Sequence, residues 1–130
     1  MLLPITCTMA GAATLLNLWL GMRCIQIRYK EGIDRGDGGN SLLLARMRAQ
    51  SNFVEYTPFF LILLGLIEYA RGPQTWLWAV GIVYILGRIT HPLGLDRIGA
   101  NPLRAFGVLT TLVSLLVLAG YALYLPYVAR

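Results

Sequence analysis

The sequence predicts an all-α integral membrane protein: a four-transmembrane-helix bundle in one domain, residues 1–130, with a long second helix. Three observations predict it. First, 57% of the residues are hydrophobic and only 13% are charged, where soluble domains carry about 25% charged; mean hydropathy is +0.63. Second, four apolar runs approach the roughly 20 residues that cross a bilayer. They are Leu2 to Met22, Phe53 to Tyr69, Trp76 to Leu95 and Leu103 to Tyr127. Third, all Lys and Arg except Arg71 and Arg130 lie at or between the ends of runs one and two or of runs three and four. By the positive-inside rule the first and third loops are cytoplasmic and both termini lie outside. The same distribution accounts for the net charge of +5 without nucleic acid, because the basic residues are not clustered on a surface helix with aromatics between them.

The helices are expected at about 3–30, 41–71, 75–95 and 102–128. In the first, Gly11, Ala12, Ala13 and Gly21 let a neighbouring helix come close. Asn17, at apolar depth, is expected to hydrogen-bond another helix. Arg23 and Arg28 are expected to extend toward lipid phosphates. The stretch TMAGAA resembles a signal-peptidase site, but no basic segment precedes it, so a retained span is expected. Cys7 and Cys24 stand about 25 Å apart on one helix and cannot pair. With His91 the only histidine, they make no zinc site either and are read as small buried thiols.

Glu31 to Asn40, EGIDRGDGGN, is a flexible loop suited to cover a cytoplasmic pocket, and Asn40 or Ser41 caps the helix after it. That second helix, about 45 Å long against a hydrocarbon thickness of about 30 Å, must project its first turns beyond the hydrocarbon. Arg48, Asn52 and Glu55 fall at i, i+4, i+7 and so form one polar stripe. Pro58, one turn on, lacks a backbone donor and is expected to bend the helix.

The third helix repeats the spacing with Tyr84, Arg88 and His91. His91 alone fits a structural histidine as well as a ligand, whereas Arg88 is costly unless it is paired or lines a wet cavity. Asn101 and Pro102 read as N-cap and first residue of helix four, which puts Arg104 in its first turn. The macrodipole is already positive there, so an anion is expected nearby. A bound ligand and a lipid phosphate both satisfy that expectation.

Arg48-Ala-Gln50-Ser-Asn52-Phe-Val-Glu55-Tyr56-Thr-Pro58, with Gly87-Arg88-Ile-Thr-His91 and Pro102-Leu-Arg104, resembles the membrane-associated proteins in eicosanoid and glutathione metabolism, the MAPEG family. The likeness extends over the whole chain, and the short GDGG loop is similar to that of bacterial members. It implies a homotrimer in a bacterial inner membrane, with glutathione as co-substrate and no metal. It also implies a glutathione-dependent transferase or peroxidase of detoxifying type, acting on apolar electrophiles from the surrounding membrane lipids. In catalytic members, the residues matching Arg48, Asn52, Glu55 and Tyr56 hold glutathione, and those matching Gln50, Arg88 and His91 lie in or beside the site.

The residue types suit that ligand. Arg48 and Arg88, with Arg28 as a third, can take carboxylates, Glu55 an ammonium, and Asn52, Gln50 and Tyr56 amides. The resemblance makes Arg104 the catalytic residue, facing the thiol. A thiol of pKa about 8.5 is mostly protonated at neutral pH, and a cation at a helix N-terminus lowers that value. Gln50 lies about 200° around the helix from Arg48, so a site between subunits is expected. Leu95 replaces a tyrosine that contacts the sulfur in several family enzymes. A non-catalytic lipid-binding protein of the same fold is the alternative. A small exporter would instead want a carboxylate near mid-membrane, whereas Glu55 and Glu68 fall near interfaces.

Overall fold

The computed structural model describes residues 1–128, which leaves Arg130 outside the described residues. Four helices follow one another: α1 (Pro4–Glu31), α2 (Ser41–Arg71), α3 (Thr75–Leu95) and α4 (Pro102–Val128). Each is long and apolar enough to cross a membrane. The described residues contain no strand. Short connections make neighbours antiparallel, so the C-terminal ends of α1 and α3 share one end of the bundle with the N-terminal ends of α2 and α4.

Local chemistry fixes where the helices begin. The Asn40 side chain accepts the Leu43 N–H at 2.9 Å at the start of α2, and the Asn101 side chain accepts the Arg104 N–H at 3.0 Å at the start of α4. Each satisfies an N–H that a helix start leaves without an intrahelical partner. Helix α1 has no such cap of its own. Glu68, fully buried near the far end of α2, caps it instead. Its carboxylate accepts the Ile5 N–H at 2.9 Å, the Thr6 N–H at 2.7 Å and the Thr6 hydroxyl at 2.7 Å. A carboxylate at a helix N-terminus also meets the positive end of the macrodipole.

The core runs the length of the bundle. Ile5, Phe60, Leu64, Leu77 and Tyr84 pack together in the half that holds the start of α1, where Phe60 and Tyr84 stack with centroids 3.7 Å apart. Leu20, Ala49 and Phe53 pack nearer the other end. Helices α3 and α4 share the largest interface, and glycine makes it possible. A Cβ on Gly107 would stand 2.7 Å from the Gly87 carbonyl oxygen, and one on Gly94 would stand 2.7 Å from the Arg104 Cα. Of the small residues expected to serve this purpose in α1, Gly21 faces Gln50, whereas Gly11 has open space around it.

Several sequence expectations need correction. Arg23 does not extend to lipid phosphates: it is buried and paired with Asp96, a partner 73 residues away. Among the described residues Asn17 makes no helix-to-helix hydrogen bond, and its buried Oδ1 has no partner. Cys24 is buried as expected, but Cys7 is exposed. Glu68 lies near a span end as expected, and there it turns inward to cap α1.

Candidate functional site

A polar pocket forms where the first turns of α2 and α4 meet the last turns of α3. Arg48, Ser51, Asn52 and Glu55 supply the α2 wall, His91 and Leu95 the α3 wall, and Arg104 the α4 side. The i, i+4, i+7 spacing brings Arg48, Asn52 and Glu55 to one wall. Arg104 is carried in by the Asn101 cap, whose Nδ2 also donates to the Gly94 carbonyl at 2.8 Å and so seats the start of α4 on the end of α3.

The charges in this pocket are unspent. Among the described residues, none of Arg48, Glu55 and Arg104 takes part in an ion pair. His91 is 3% exposed, and its buried Nδ1 has no hydrogen-bond partner. A buried polar atom of this kind calls for a ligand or water. The enclosed volume is about 100 Å³, well short of the roughly 300–1,000 Å³ usual for small-molecule pockets.

Arg104 also borders a second space. With Asn101, Val108, Leu109 and Leu112 it lines an open, mostly apolar groove of about 500 Å³ along α4. Arg104 thus borders both a polar pocket and a mostly apolar groove.

The other site residues expected from sequence stand apart from this pocket. Arg88, 1% exposed, lies one turn before His91 on α3, donates to the Thr111 hydroxyl at 3.1 Å and has its guanidinium carbon 5.6 Å from the Phe53 ring centroid. It has no carboxylate partner among the described residues. Tyr56 is half-buried and outside the lining. Gln50 faces α1, its Nε2 3.3 Å from where a Cβ on Gly21 would be. Arg28 donates to the Gly36 carbonyl at 2.8 Å and borders a separate cleft with Tyr29, Ile33 and Asp34. The loop is thus held on α1, and none of it lines the Arg48–Arg104 pocket. Ser51 belongs to the lining although the sequence reading passed over it; its i+3 relation to Arg48 was the available signal.

Four long apolar helices around a polar pocket at one end define a multi-pass integral membrane protein, and the chain belongs to the MAPEG family, whose model matches residues 6–124. It is similar to the inner membrane protein YecN of Escherichia coli strain K12, at 33% identity over 86 residues, 65% of this chain and 65% of the relative. The YecN of Escherichia coli O6:H1 strain CFT073 matches to the same extent. The matched region spans just under two thirds of the length of these relatives.

Proposed function

We propose that the protein is a glutathione-dependent transferase or peroxidase of a bacterial inner membrane, acting as a homotrimer on apolar electrophiles. The observation that carries this reading is the convergence of Arg48, Asn52, Glu55, His91 and Arg104 on one pocket that shares Arg104 with an apolar groove. Glutathione has two carboxylates, one ammonium and one thiol. The pocket offers Arg48 as a cation, Glu55 as a carboxylate and Arg104 as a second cation at a helix N-terminus. In this reading Arg48 takes a carboxylate, Glu55 the ammonium and Asn52 an amide. Arg104, helped by the α4 macrodipole, holds the thiol as thiolate. The sulfur attacks an electrophile lying in the groove, and because Arg104 keeps its proton throughout, it acts only as a cation.

The small volume of the pocket, and the positions of Arg28 and Gln50 outside its lining, support assembly. In a trimer these two side chains would complete the pocket of a neighbouring subunit, while Arg88 and Tyr56 would underlie it. The pocket end faces the cytoplasm in this reading, where glutathione is available. Leu95 in the lining favours a second reading, a lipid-binding member without catalysis, since it offers no hydroxyl to the sulfur.

The deciding experiment titrates purified protein with glutathione and follows thiolate absorbance in the ultraviolet. Wild type should give a saturable signal that Arg104→Ala loses. A wild type without that signal removes the transferase reading in favour of the lipid binder, and a mutant that keeps it removes Arg104 from its role.

A further inference from the structure

An ionic cluster lies outside the pocket, at the same end of the bundle. Arg23 from α1 and Arg46 from α2 share one carboxylate, that of Asp96, the residue directly after α3. Arg23 is 7% exposed and stacks on Trp19, its guanidinium carbon 4.9 Å from the ring centroid. Arg46 Nε stands 4.0 Å from Asp96 Oδ1, and its Nη1 donates to the Arg23 carbonyl at 2.9 Å. Among the described residues these are the ion pairs that join different helices; the remaining one, Arg35 with Asp34, is local to the exposed loop. A largely desolvated carboxylate shared by two guanidinium groups is a poor way to gain stability but a strong way to fix geometry. Removing it leaves a buried cation uncompensated.

What that geometry fixes can be traced through the contacts. The Asp96 N–H donates to the Pro92 carbonyl at 3.2 Å, so the Asp96 backbone continues the last turn of α3. That turn holds Gly94, whose carbonyl accepts from Asn101, and Asn101 caps the N–H of Arg104. Leu95, between Gly94 and Asp96, lines the pocket. On the other side, Arg46 precedes Arg48 by two residues on α2. The pocket therefore has two halves: the α2 wall, and an α3–α4 half that carries Arg104. Arg46 and Asp96, 4.0 Å apart and without a hydrogen bond between them, are the ionic contact between the two halves among the described residues.

We propose that Asp96 is a positioning residue that sets Arg104 in register against the Arg48–Glu55 wall while touching no ligand itself. Its carboxylate draws the end of α3 onto α1 and α2 through Arg23 and Arg46, and the start of α4 follows because it is seated on Gly94. The identity of the ligand rests on the proposed function; the register does not.

The test uses the purified full chain with Asp96→Asn, Asp96→Arg and the double reversal Arg23→Asp with Asp96→Arg, which restores one carboxylate to the cluster. The first readout needs no ligand: hydrogen exchange at the Arg104 amide, with the Ile5 and Thr6 amides bound by Glu68 at the opposite end as internal control. The single variants should exchange at Arg104 on the order of tenfold faster, with the control amides unchanged and the double reversal back near wild type, because local opening is read separately from global unfolding. Wild-type exchange at Arg104 in Asp96→Asn overturns the proposal. Faster exchange at both ends alike also overturns it, since Asp96 would then hold the fold rather than the register.

The second readout separates binding from activation. In Asp96→Asn, glutathione affinity should stay within about twofold, because the α2 wall is intact, while bound thiolate falls on the order of tenfold as Arg104 loses its place. Equal loss of both overturns the proposal. A wild type that shows no thiolate signal defeats the transferase reading alone, and the Arg104 amide then decides the register by itself.

Discussion

Gly94→Ala is the most direct probe of how the site is built. The added Cβ would stand 2.7 Å from the Arg104 Cα and 2.7 Å from Asn101 Oδ1, the atom that caps α4. Carbon atoms pack at about 3.5–4.0 Å, so the start of α4 must withdraw by about 1 Å. Neither neighbour can swing aside: one is backbone and the other is held by two hydrogen bonds of Asn101. Overpacking of this kind costs about 1–3 kcal/mol, which in a domain near this size lowers the melting temperature by roughly 3–10 °C. A displacement of about 1 Å at a catalytic group costs on the order of 10²-fold in rate. Thermal unfolding in detergent, beside glutathione conjugation measured on a soluble aromatic electrophile, checks both. A variant that melts and turns over like wild type refutes the claim that close packing of α3 on α4 places Arg104. One that melts lower but turns over normally refutes only the link from packing to activity.

Three further predictions test separate parts. Glu68→Ala should lower stability by about 1–3 kcal/mol, because the three donors of Ile5 and Thr6 lose a buried acceptor; an unchanged melting temperature would show that water replaces the cap freely. Glu55→Gln should weaken glutathione binding by about 1–3 kcal/mol in a calorimetric titration if it pairs with the ammonium, and unchanged affinity removes that assignment. Arg88→Met should leave the melting temperature unchanged or raise it, since a buried guanidinium without a carboxylate is replaced by a packing side chain of similar length. If stability falls by several kcal/mol instead, the Arg88–Thr111 contact is a structural bond and not a charge held ready for a ligand.

The parts of this molecule that can be read from the sequence are those with local causes. Hydropathy marks the spans because length and polarity alone decide what crosses a bilayer. The starts of α2 and α4 could be placed because Asn40 and Asn101 act on N–H groups three residues away. The α2 wall follows from helical period, which is why Arg48, Asn52 and Glu55 meet. The same period was a weaker guide on α3. Tyr84, Arg88 and His91 do share a buried face, but the pocket is shallow and reaches only His91. Arg88 lies a turn deeper, against Phe53 and Thr111.

What the sequence hid depends on partners far along the chain. Glu68 and Arg23 both sit near span ends, and charged residues there ordinarily turn toward water or headgroups. Each instead turns inward, because an unusual need waits across the bundle: the uncapped N-terminus of α1 for Glu68, and the carboxylate of Asp96 for Arg23. The contrast with Arg48, Glu55 and Arg104 is chemical. Where the fold requires a charge near a span end, the chain supplies its complement within hydrogen-bond reach. At the pocket it supplies two exposed cations, one exposed carboxylate and an imidazole nitrogen without a partner. A folded membrane chain has little reason to keep such groups together and unpaired unless something from outside completes them. Under the proposed function, the ligand that completes them is anionic in at least two places and cationic in one.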